Sequence, residues 1–162
     1  MNSHDDGAFE VGAAVDAGCV AAAAQNLAAI QRYADAWATK RVDALLEPFA
    51  ADAVFEDLGI EQVFRGREAM AAFFRDNLVA FPDFRIEIVS AVCDASGGGS
   101  QWVMSGTNLG GFPGMPATGR SFRVRGASAL RFQDARITSQ TDYWSLPQMM
   151  RQISGSGTAS DE

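Results

Sequence analysis

A chain of 162 residues with 13 basic and 20 acidic side chains carries a formal charge of −7, which repels phosphate backbones and anionic lipid surfaces and argues against a nucleic-acid or membrane partner. The length suits one domain with a real core rather than two. A single histidine, His4, and two distant cysteines, Cys19 and Cys93, match no zinc or iron ligand spacing, so neither a metal nor a cofactor is expected.

Residues 1–21 mix Gly, Ala and Asp without periodicity and read as a disordered tail. Asp5, Asp6, Glu10 and Asp16 stand where a secretion leader needs positive charge and a clean apolar run. With no leader and two free thiols, the expected location is the cytoplasm, without a disulfide. From Ala22 to Thr39, Leu27, Ile30, Tyr33, Ala34 and Trp37 recur at helical spacing. A second, shorter helix is expected over Val42 to Ala50. The run Ala53 to Leu58 is strand-like, and Gly66 opens a third helix that Pro82 stops.

Past Pro82 the apolar period changes to two. Phe84, Ile86 and Ile88 alternate with Arg85 and Glu87, and the turn is expected at Ser96 to Ser100. Further strands are expected over Gln101 to Phe112, Arg120 to Phe132 and Arg136 to Trp144, the last two joined tightly through Gln133, Asp134 and Ala135. Met149 and Met150 belong to a final helical turn, as lid or as core, and residues 153–162 read as a flexible tail, leaving 22–152 as the folded domain. Helices followed by an antiparallel meander make an α+β domain with the helices on one sheet face. Strand parity groups Phe122, Val124, Gly126, Ser128, Leu130 and Phe132 toward the helices, with Arg123, Arg125 and Arg131 opposite. Trp102, Met104, Gly106 and Asn108 share one face, as do Gln140, Asp142 and Trp144.

With no histidine in the expected domain, proton chemistry falls to carboxylates. Asp57 ends a strand and is either a turn residue before Leu58-Gly59 or a general base whose pKa is lifted by Phe55, Leu58 and Phe81. Asp142 lies in mid-strand, where Asp is disfavoured without a partner or a task, unless it faces solvent on the outer surface. Tyr33 either points its hydroxyl into a pocket or is an ordinary core aromatic. Trp102, Trp144 and Trp37 are packing residues first, and only those at a cavity mouth would touch a ligand. The glycine-rich stretch 110–119 precedes a strand and lacks a P-loop lysine, so it reads as a pocket rim rather than a phosphate loop.

The stretch from Ile30 to Leu78 resembles the N-terminal half of the ketosteroid isomerases, through Gln31-Arg32-Tyr33 and the strand-end pair Glu56-Asp57. Residues 106–126 and the run Arg136 to Trp144 resemble the SnoaL-like polyketide cyclases and the limonene-type epoxide hydrolases. These families share the nuclear transport factor 2-like cone: three N-terminal helices wrapped by a strongly curved, mostly antiparallel sheet around one cavity. The resemblance implies Asp57 as the base, Tyr33 as donor to a substrate oxyanion and Asp142 as a second acid. Asn108 stands where cyclases often carry His, and Ser128 where the isomerases carry a protonated aspartate. The Arg-x-Asp neighbourhood of the hydrolases reads Ser105-Gly106-Thr107-Asn108 here.

The expected function is a cofactor-independent acid/base enzyme acting on a hydrophobic, carbonyl-containing small molecule, by cyclisation or isomerisation. Asp57, Asp142 and Tyr33 are its expected catalytic groups. Substrate would contact Asn108, Gln140, Phe55, Trp102, Trp144, Ser128 and Phe81. Epoxide opening and non-catalytic binding of a hydrophobic metabolite remain as alternatives, and a homodimer is the expected assembly.

Overall fold

A computed structural model of the chain describes residues 16–111 and 116–154. The expected tails lie largely outside this range, as does part of the glycine-rich rim. The first helix, α1 (Ala17–Thr39), starts before the expected Ala22 because Asp16 caps it, its carboxylate accepting from the Gly18 N–H at 3.3 Å. The chain leaves α1 through Lys40 in the left-handed region, φ 57°. The inner face of α1 presents Asn26, Ala29, Ile30, Tyr33, Ala34 and Trp37. Leu27, expected on that face, is exposed, and neighbouring Asn26 is buried instead, donating to the Asp94 carbonyl at 2.8 Å.

Helix α2 (Val42–Leu46) is shorter than expected. Glu47 still has helical geometry, but Pro48 has no N–H to continue the hydrogen-bond ladder, and Phe49 and Ala50 open the first strand instead. Strand β1 (Phe49–Asp57) pairs with the unanticipated edge strand β2 (Gln62–Arg65), four residues long and mostly exposed. Helix α3 (Gly66–Ala80) stops just ahead of Pro82. There follow β3 (Arg85–Cys93), β4 (Gly97–Thr107), β5 (Ser121–Gln133) and β6 (Arg136–Trp144), and α4 (Leu146–Ser154) closes the described chain. Helix α4 carries the fold past residue 152, with Ile153 fully buried.

The β3–β4 turn lies at Asp94 to Ser96, earlier than expected. Asp94 Oδ1 accepts from the N–H groups of Ser96 and Gly97 at 2.7 and 2.8 Å, and this side-chain clasp fixes the turn and leaves Gly97, Gly98 and Gly99 in the strand. Gly98 is required there, because a Cβ would stand 2.4 Å from the Val92 carbonyl oxygen. Between β5 and β6 the two turn residues Asp134 and Ala135 both have positive φ, 49° and 58°, matching the sense of strand twist.

The strands form one sheet in the order β2-β1-β6-β5-β4-β3, antiparallel except where β1 runs parallel to β6. Register irregularities at Ile88/Ser90, Arg131/Phe132 and Phe49/Val54 interrupt its ladders, and such bulges bend a sheet. Phe122, Val124, Ser128, Leu130 and Phe132 face inward and Arg123, Arg125 and Arg131 outward, as parity requires. The helices cover the inner face and meet the sheet in a cluster of aromatic rings. Phe74 is fully buried among Tyr33, Trp37, Phe49, Phe55 and Phe73. Phe74→Ala is expected to destabilise the fold by about 3–5 kcal/mol, read from the urea midpoint at constant slope.

Candidate active site

Parallel pairing places Asp57 and Asp142 directly opposite one another as Cα partners on β1 and β6. Both side chains are buried, at 6 % exposure each, and both line a cavity of about 320 Å³ between the helices and the sheet. A row runs across five strands through them: Ser100, Ser128, Asp142, Asp57 and Gln62 are successive register partners. The row alongside contains Trp102, Gly126 and Trp144. A polar stripe thus crosses an otherwise apolar concave face, flanked by indoles.

Each carboxylate has its own donors. Asp57 Oδ1 accepts from Trp144 Nε1 at 2.7 Å and from the Ile60 N–H at 3.2 Å. Asp142 Oδ1 accepts from Ser128 Oγ at 2.6 Å and Gln140 Nε2 at 2.9 Å, and Trp102 Nε1 donates to the same Ser128 hydroxyl at 2.8 Å. Both of the donating indoles are seated on glycine. A Cβ on Gly59 would stand 2.2 Å from the Trp144 ring, and one on Gly126 would stand 2.2 Å from the Trp102 ring. Those two glycines therefore set the rings that orient the acids.

Burial pushes the Asp142 carboxyl up from 3.8 to about 7; Ser128 and Gln140 oppose the shift, and the charge of Asp57 adds to it. Burial also raises Asp57, against the opposing donors at Ile60, Trp144 and Gly59. Two adjacent carboxyls in an apolar setting resist double ionisation and titrate as a pair. Tyr33 is held well above its usual range, first by burial and then by the charge of Asp142. It is a neutral hydrogen-bond donor at any ordinary pH.

The cavity brings together most of the expected site residues: Asp57, Asp142, Tyr33, Phe55, Phe81, Trp102 and Trp144 all line it. Ser128 and Gln140 lie behind Asp142, lining a separate void of about 10 Å³; both bond that carboxylate, and Ser128 also accepts from Trp102 of the cavity wall. Asn108 lies elsewhere. It is fully buried, and its Nδ2 donates to the Pro116 carbonyl at 3.1 Å and to Thr118 Oγ1 at 3.4 Å, tying down the loop after β4. Leu58 is 42 % exposed and forms no wall beside Asp57.

Trp37 lines the cavity with Trp102 and Trp144, and the sequence reading missed Phe73, Asp76, Asn77, Ile60 and Gln62, which line it too. Phe73, Asp76, Asn77 and Ala80 share one face of α3 at helical spacing, a signal that was present in the sequence. Ile60 and Gln62 depend on β2, which is too short and too polar to announce itself. Met149 of α4 is buried against the cavity, so it is both core and lining. Among the described residues no group of His, Cys, Asp and Glu could hold a metal ion, and no helix is long and apolar enough to cross a membrane.

The model of the SnoaL-like polyketide cyclases matches residues 27–153, which takes in every helix and strand described above except the first turns of α1 and the last residue of α4. The chain belongs to this family. No curated protein matches it. Among solved structures, a protein of ketosteroid isomerase-like fold from Catenulispora acidiphila, in complex with trimethylamine, is 26 % identical, covers 78 % of this chain and 92 % of its own, and superposes with a TM-score of 0.69. A candidate SnoaL-like cyclase from Jannaschia sp. CCS1 is 19 % identical over 82 % and 93 %, with a TM-score of 0.73. IdmH, a candidate polyketide cyclase from Streptomyces antibioticus, is 24 % identical over 80 % and 99 %, with a TM-score of 0.70. The cone expected from the sequence is the fold of this SnoaL-like chain.

The raised carboxyl has a consequence for stability. Folded protein keeps the Asp142 proton between about pH 4 and pH 7, where the unfolded chain has lost it, so stability falls as pH rises through that window. The slope from this group is at most roughly 1.4 kcal/mol per pH unit. Asp142→Asn should abolish that component, and urea unfolding of both proteins at pH 4, 5, 6 and 7 measures the difference.

Proposed function

We propose that this SnoaL-like protein is a cofactor-independent acid/base enzyme that moves a proton on a hydrophobic, carbonyl-containing small molecule. The observation that carries the reading is the side-by-side placement of Asp57 and Asp142 in an aromatic cavity, each with a different set of donors. Pairs of acids whose environments differ divide the roles of base and acid.

In this mechanism Asp57, held as an anion by Trp144 and Ile60, takes the proton α to the substrate carbonyl. Asp142, whose Oδ1 is occupied by Ser128 and Gln140, carries its proton on the other oxygen and offers it to the developing enolate, beside the Tyr33 hydroxyl. The enolate carbon then either attacks a second carbonyl of the same molecule, forming a ring, or regains the proton at another carbon. In either case the proton given by Asp142 returns to it as the carbonyl re-forms, and in the first case the new alkoxide takes the proton that Asp57 had removed. In both cases the acids return to their starting states, so no co-reactant is needed.

Asp57→Asn and Asp142→Asn are each expected to keep the fold and lower kcat on a carbonyl substrate by about 10²- to 10⁴-fold. The wild-type rate should follow a bell, falling on the alkaline side as Asp142 loses its proton near pH 7 and on the acid side as Asp57 gains one. Unchanged turnover in both variants would refute the acid/base reading. Incorporation of oxygen from labelled water into product would favour an epoxide-opening hydrolase instead.

A further inference from the structure

The cavity holds an imbalance of charge that its own side chains leave uncompensated. Among the described residues eight aromatics and three aspartates line it, and no Lys, Arg or His is among them. Among the described residues the ion pairs are Arg32 with Glu47, Arg41 with Asp43 and Arg123 with Glu87, all on the surface. Neither Asp57 nor Asp142 has a cationic partner. A buried carboxylate normally finds one, or loses its charge. Asp76 adds an exposed carboxylate to the cavity lining, and Asn77 Oδ1, a buried acceptor on the same helix face, has no donor among the described residues.

Aromatic faces such as those of Trp37, Phe73 and Phe81 attract cations through their quadrupoles, most strongly where water is excluded. The same lining repels a carboxylate or phosphate twice over, through like charge and through desolvation. Resting on the acid/base reading above, we propose that the part of the substrate entering the cavity carries a protonated amine or iminium group, which supplies the missing countercharge to the Asp57 anion. Such a cation beside the reacting carbonyl also withdraws electrons from the α carbon, making its proton easier for Asp57 to remove. Anionic molecules of the same shape are excluded.

The test is calorimetric titration of the full chain at pH 6, where Asp142 keeps its proton, with three probes of one skeleton: naphthylmethylamine, naphthylmethanol and naphthoate. The amine is expected to bind at least about tenfold more tightly than the alcohol, and naphthoate to give no measurable heat. Asp57→Asn should cut the preference for the amine over the alcohol below about threefold while the alcohol still binds, and Asp142→Asn, which leaves the Asp57 anion in place, should keep it. An alcohol that binds as well as the amine, an amine that does not bind, or a naphthoate that does would overturn the proposal. The outcome separates from that of the parent reading. Loss of turnover in Asp57→Asn without an amine preference leaves the acid/base enzyme and removes the cationic substrate. An amine preference with unchanged turnover leaves a cation pocket without the chemistry.

Discussion

Everything in the cavity depends on one piece of backbone geometry, the parallel pairing of β1 with β6. In a meander of sequential hairpins these strands would never meet, since β1 comes before α3 and β6 is the last strand of the chain. The crossover through α3 and three antiparallel strands returns β6 to the side of β1, and partner residues of a parallel pair point to the same face. Asp57 and Asp142, 85 positions apart, become neighbours for that reason. A shift of one residue would turn one acid out of the cavity, because the side-chain period of a strand is two.

That arrangement sets stability against chemistry. Two carboxyls, a serine, two indole N–H groups and a carboxamide occupy the concave face, where aliphatic side chains would pack at lower cost. The surrounding core compensates through aromatic volume: the rings of Tyr33, Trp37, Phe49, Phe55 and Phe73 all meet Phe74, and edge-on contacts among them are frequent. Helix α4 adds Met149 and Ile153 at the other side. The polar stripe is tolerated because one oxygen of each carboxylate has two donors.

Much of this was legible in the chain itself, and the exceptions have physical causes. Helices α1 and α3 and strands β5 and β6 announced themselves through period, and the inward set on β5 followed from parity alone. The boundaries that moved were governed by single side chains: Asp16 capping α1, Pro48 cutting α2 short, and Asp94 drawing the β3–β4 turn forward. Strand β2 had too few apolar residues to show a period. In the site, the acids could be singled out because Asp is costly inside a strand. Asn108 misled for the converse reason, since a buried amide can serve a loop as readily as a ligand, and here it holds the Pro116 carbonyl. The pairing of Asp57 with Asp142 was beyond local reading, because no periodicity reveals which distant strands will lie side by side.

Gly59 links the rim of the cavity to the basicity of Asp57. The indole of Trp144 occupies the space where a side chain at position 59 would be, and from there it reaches Asp57. Displacement of the β1–β2 loop therefore moves a hydrogen-bond donor relative to a carboxylate. Loop position and proton affinity are a single mechanical variable, and the fluorophore that reports on it is already in place: Trp144 senses the charge of Asp57 through its own indole N–H.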